Sequence, residues 1–189
     1  MKKFLVLMLF LAGCAFKSLP ELNLYTIKPI ENVALASKYP TKILKVAYPI
    51  ALSRELGFKM AFVYENGKSG YYLNSQWQED IGKLIEYALI TSLEKAHIFK
   101  AVVPYNSTVL EDYRLEITIN RLYHKVVTKN NSYAILDVTL NLLDMDTRAI
   151  IKHKRFFYKI PCQSTNAKGY AKALQEAIDA FVKDVIAWL

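Results

Sequence analysis

Lys2 and Lys3 precede an unbroken apolar run from Phe4 to Leu11, and two small residues, Ala12 and Gly13, separate that run from Cys14. A basic start, a short apolar stretch and a small-residue site together make a secretory signal. The run is far shorter than the roughly 20 residues a spanning helix needs, so it does not read as a permanent transmembrane segment. The fold must then be built by residues 14–189, outside the cytoplasm. Cys14 and Cys162 are the two cysteines of the chain. With Cys14 spent on modification, no intramolecular disulfide is available and stability rests on burial. The remaining length suits one domain with a substantial core.

Leu11-Ala12-Gly13-Cys14 resembles the lipobox of bacterial lipoproteins. The resemblance implies that the Cys14 thiol carries a diacylglyceryl group, that the peptide is cut before Cys14, and that the new amine is acylated. Residues 1–13 are then the signal peptide, 14–21 a lipidated tether and 22–189 a single domain. A single acyl chain holds a protein only reversibly, whereas two or three hold it firmly, because each buried methylene contributes about 0.8 kcal/mol. By resemblance to enterobacterial lipoproteins, Ala15 after the modified cysteine favours the outer membrane, with the domain facing the periplasm. The inner membrane is the alternative.

The formal charge is +8 for the whole chain, and two of the lysines belong to the signal, so the remainder is mildly basic. Nucleic acid is excluded as a partner for an exported chain, while anionic headgroups or an acidic protein face remain. The 13 tyrosines and 9 phenylalanines are ordinary strand material first and an aromatic contact groove second.

After the tether, Leu22 to Ile27 alternates like a strand and Pro29 closes it; residues 30–41, with Pro40, read as a connection. Lys42 to Tyr48 is a second strand. Phe58 to Glu65, Asn66-Gly67 and Gly70 to Leu73 predict a hairpin with a loop longer than two residues. Ser75 with Gln78 predicts a capping box, opening a helix to about Lys95 with Ile81, Leu84, Ile85, Ala88, Leu89 and Leu93 buried. His97 follows as a terminal residue favoured by the helix dipole. A short strand runs from Ile98 to Val103. The strand from Tyr113 changes apolar phase past Arg121, which predicts a bulge. Lys129 to Ser132 turns into a strand whose core face is Ala134, Leu136, Val138, Leu140 and Leu142. Another turn leads to Ala149–Ile160. A last helix starts near Thr165 or Asn166, with Tyr170, Leu174, Ala177, Ile178, Phe181, Val185 and Leu189 on one face. The class is α+β, a largely antiparallel sheet with two helices packed on one face.

The cysteine and tether, Leu24-Tyr25-Thr26-Ile27, Val63-Tyr64, Tyr71-Tyr72-Leu73, Gln76-Trp77-Gln78-Glu79, Phe99-Lys100-Ala101-Val102 and the terminal Trp188-Leu189 together resemble the ABC-type transport auxiliary lipoproteins, the PqiC-like family. The resemblance implies a periplasm-facing accessory of an MCE-type system that moves phospholipid or related lipid between inner and outer membranes. Its partners would be an MCE-domain protein and the associated permease and ATPase. The chain has neither a P-loop nor multi-pass hydropathy, so it is neither the motor nor the permease.

Of the three histidines, His97, His124 and His153, no two share a helix face at ligand spacing, so no metal or other cofactor is expected. Pairing through the Lys129–Ser132 turn could bring His124 near Asp137, but no nucleophile elbow accompanies them. The expectation is a protein that is not an enzyme. Lys152, Lys154 and Arg155 form a basic strand that could meet a partner or lipid headgroups, or could simply protect a sheet edge. Tyr72 and Trp77 are the aromatic contact candidates, with helix-to-sheet packing the other role for Trp77. The alternatives in function are a structural or assembly lipoprotein of the envelope and a stand-alone lipid-binding module.

Overall fold

The structure, a computed structural model, describes residues 21–33, 37–51 and 56–189. Leu11, Ala12, Gly13 and Cys14 lie outside these residues. In chain order the elements are β1 (Asn23–Tyr25), β2 (Tyr39–Val46), β3 (Ile50–Ala51), β4 (Lys59–Tyr64), β5 (Ser69–Trp77), α1 (Ile81–Lys95), β6 (Phe99–Pro104), β7 (Tyr113–Thr128), β8 (Asn131–Asp144), β9 (Ala149–Pro161) and α2 (Ala167–Trp188).

The three longest strands, β7, β8 and β9, form an antiparallel meander joined by short turns at residues 129–130 and 145–148. Leu136, Val138 and Leu140 on the core face of β8 are fully buried, each worth about 1.5 to 3 kcal/mol. The register of β7 slips between Ile119 and Arg121, so Asn120 is the extra residue of the expected bulge. Before it Leu115, Ile117 and Ile119 face the core; after it Leu122 and His124 do. Without the bulge, the strand would turn its second half inside out.

The other edge of β7 holds β2, β3 and β4 in succession, all parallel to it, at Tyr113–Leu115, Thr118–Ile119 and His124–Val126. β6 adds to β2 in parallel, while β5 and then β1 add to β4, so the nine strands make one mixed sheet. It is antiparallel where the strands are long. β2 begins earlier than expected, at Tyr39, and Pro40 is accommodated where the pairing with β6 shifts between Tyr39 and Ile43.

The expected capping box at Ser75 does not form. Trp77 still belongs to β5, pairs with Tyr25 and is 1% exposed, so the chain stays extended three residues longer. Asp80 caps α1 instead: its Oδ1 accepts from Gly82 N at 2.8 Å and from the Tyr48 hydroxyl at 2.7 Å. The end of α1 is as read, with His97 just beyond it at φ 53°. At α2, Asn166 accepts from Gly169 N at 2.9 Å. Gly169 is required there, since a Cβ would lie 2.0 Å from the Ser164 carbonyl oxygen. α2 packs on β8 and β9, α1 on β6 and β2, and the helices touch each other. Their buried stripes and the core face of the sheet form one hydrophobic cluster. Among the described residues, no helix packs on the opposite face of the meander.

Candidate functional site

The bare face of the sheet is built by the residues that alternate with the core. Its centre is Asp137, fully buried beside Ile135 because two arginines from the flanking strands close over it. Arg121 Nε donates to Oδ2 at 2.8 Å, Arg155 donates to both oxygens at 2.8 and 2.7 Å, and Asn120 from the bulge donates at 3.2 Å. The Arg155 hydrogen bonds, working against the cost of burial and joined by those from Arg121, hold the carboxyl down at about 2. One carboxylate shared by two half-exposed guanidinium groups leaves local positive charge. Nearer the start of β7, Glu111 is likewise shared. Burial opposes its ionisation, but donors on Lys45 and Arg114 prevail and bring it to about 2.

Around this centre, cations lie over aromatic rings: Lys59 Nζ is 5.2 Å from the Tyr71 ring centre, Arg121 5.4 Å from Phe157, and Lys159 4.1 Å from Tyr133. The register places these pairs on the one face, since Lys125 pairs with Val63 and Tyr133, Ile135 with Tyr123 and Lys159, and Asp137 with Arg121 and Phe157. Phe157 and Tyr71 are 53% and 40% exposed. Towards β4 and β5 the face ends in a groove of about 570 Å³ lined by Leu56, Phe58, Lys59, Tyr71 and Gln76. Such a surface can bind by ring contact and positive charge.

Of the basic residues 152, 154 and 155 of β9, Lys152 and Lys154 share one face and Arg155 takes the other. Arg155 points to the bare side and is held by Asp137. Lys152 points to the helix side, where its Nζ donates to the backbone oxygens of Trp188 and Leu189 at 2.8 and 2.7 Å and serves the C-terminal turn of α2. Lys154 lies over the Phe156 ring at 4.8 Å. Trp77 takes its packing role, edge-on to Tyr170 with ring centres 5.8 Å apart, and offers no surface to a partner. Tyr72 is half-buried on the core side, its hydroxyl 2.6 Å from His124 Nδ1.

His124 is fully buried and stacks between Tyr72 and Tyr170. Its Nε2 has no hydrogen-bond partner, and burial pushes its pKa down to about 4. It pairs with Ala134, not Asp137, and lies on the opposite face from that carboxylate, which dissolves the pairing considered from sequence. Among the described residues, no group of three or more His, Cys, Asp or Glu is placed to hold a metal ion. No helix among them is long and apolar enough to cross a membrane. Sequence reasoning missed Arg121, Asp137, Lys59 and Lys159 as a common surface. The alternation of β8 was the available signal, because Asp137 occupies the phase opposite to its apolar row.

No curated protein sequence matches the chain. A crystal structure of a Xanthomonas campestris protein described as DUF330 superposes with a TM-score of 0.77 at 18% identity, covering 88% of this chain and 93% of that one. PelC from Paraburkholderia phytofirmans, crystallised as a dodecamer, superposes with a TM-score of 0.50 at 10% identity over 80% of this chain and 91% of its own. At these identities the likeness is one of fold. The sequence profile described as ABC-type transport auxiliary lipoprotein component matches residues 25–186, from β1 through almost all of α2. The chain belongs to the ABC-type transport auxiliary lipoprotein component family.

Proposed function

We propose that this protein is the lipid-anchored accessory of an MCE-type ABC transport system that moves phospholipid or related lipid between the two membranes of the envelope. Cys14 holds it in the outer membrane after removal of residues 1–13, residues 14–21 are the tether, and residues 22–189 form one periplasmic domain. Its contribution is binding: it docks an MCE-domain subunit while the permease and ATPase carry out the energised step. Family membership supports the transport setting. The observation that carries the docking role is the bare sheet face, where Lys59, Arg121 and Lys159 lie over the rings of Tyr71, Phe157 and Tyr133 and no helix among the described residues covers them. A tether raises the effective concentration of that face at the membrane, so a weak interface suffices.

The anchor is tested first. Intact-mass measurement of the protein from its native membrane should find acyl groups on Cys14 as the first residue, and Cys14→Ser should leave the membrane fraction. An unacylated wild-type N-terminus would remove the basis of the proposal.

A further inference from the structure

A second basic surface lies away from the bare sheet face, where β1 meets the first turns of α2. Lys28, Lys168 and Lys172 surround a groove of about 330 Å³ whose walls include Tyr25 and Ala171. Gln175 fixes its shape: Oε1 accepts from Lys28 N at 2.8 Å and Nε2 donates to Lys28 O at 2.9 Å, tying the chain after β1 to α2. All three lysines are exposed, and among the described residues none forms an ion pair with a carboxylate. The nearest acids on the helix are Glu176, one turn past Lys172, and Asp179, two turns past it, and Asp179 already accepts from Gln175 at 2.7 Å.

This placement runs against the preferences of a helix. The first turn of α2 holds no acidic residue, and Lys168 stands in it, at the positive end of the helix dipole. Lys168 and Lys172 are also four residues apart, a spacing at which like charges repel. Local conflict of this kind is expected where an external ligand relieves it, and an anion at a helix N-terminus does so. The chain that leads to the groove identifies the anion. The stretch from Cys14 to Glu21 spans at most about 25 Å, and β1 begins two residues later, at Asn23, so an acyl group on Cys14 keeps the groove next to the bilayer.

We infer that Lys28, Lys168 and Lys172 form a headgroup site that seats the domain on anionic phospholipids of the membrane holding its anchor. The site orients the domain, leaving the bare sheet face free for a protein partner. The inference rests on the reading of Cys14 as the lipid-bearing residue.

The test uses the full lipidated protein in vesicles of phosphatidylcholine alone or with about one-third phosphatidylglycerol. Acetylation of each lysine by a water-soluble reagent is followed by mass spectrometry, and the acyl mass on Cys14 is read in the same sample. Lys28, Lys168 and Lys172 should react roughly five-fold more slowly in the anionic vesicles, with the protection lost at high salt. Lys100 on β6, at the other end of the strand order, should keep its rate. In the double variant Lys168→Glu, Lys172→Glu, Lys28 should lose its protection. Equal rates in both vesicles with Cys14 acylated would overturn the headgroup site alone. An unacylated Cys14 would overturn the anchor and this site together. Protection by inorganic phosphate in neutral vesicles would overturn the lipid assignment in favour of a free-anion site.

Discussion

His124 on β7 and Asp137 on β8 lie close together in the meander but on opposite faces of the sheet, and they meet opposite electrostatic fates. Asp137 is buried but surrounded by donors, so its charged form is favoured; His124 is buried among rings, so its neutral form is favoured. A protonated imidazole would carry two N–H donors, and Nε2 has no acceptor to meet. The sign of the resulting pH dependence follows from linkage. Because the folded pKa of about 4 lies below the ordinary value near 6.5, the unfolded chain binds the extra proton between them. Stability should fall as pH is lowered from about 6.5 to 4 and should be independent of this group above that window. Asp137 acts lower, its stabilisation being lost as pH falls from about 4 towards 2. Urea unfolding across the upper window should be steeper in pH for the wild type than for His124→Gln, which keeps an acceptor for Tyr72. Equal slopes would mean that His124 titrates normally in the folded protein.

At the scale of elements, what was legible was what is local. The apolar row Ala134 to Leu142, the phase change past Arg121 and the start of the last helix near Thr165 or Asn166 each leave a short-range pattern, and the structure has each of them there. The parallel pairings along β7 leave no such pattern, because β2, β3 and β4 are matched to it across the chain. Ser75 misled for a related reason: its capping potential lost to the burial of Trp77, a tertiary gain invisible in a four-residue window. The run of basic residues in β9 looks like one surface in the sequence, but neighbouring residues of a strand face opposite ways, so Lys152 serves the α2 terminus while Arg155 serves Asp137. The buried stripe of α1 supports a direct stability prediction. Leu89 is fully buried, and Leu89→Ala should cost about 2 to 5 kcal/mol in urea unfolding. A loss below about 0.5 kcal/mol, the size expected of a surface change, would contradict the packing of that helix face.

For the whole molecule, the fold divides its tasks between faces. Both helices and the core occupy one side of the sheet, which leaves the other side for cations, rings and the Asp137 network. The groove at Lys28, Lys168 and Lys172 lies beside the strand nearest the tether. The proposed headgroup seat at this groove leaves the bare face free for a partner. The central claim is that this face docks an MCE-domain subunit, and crosslinking in native envelopes with identification of the captured protein tests it most directly. The wild type should capture an MCE-domain subunit, and the folded variant Lys59→Glu, Lys159→Glu should capture it more weakly and with greater salt sensitivity. Capture of unrelated envelope proteins alone, or undiminished capture by the variant, would contradict it.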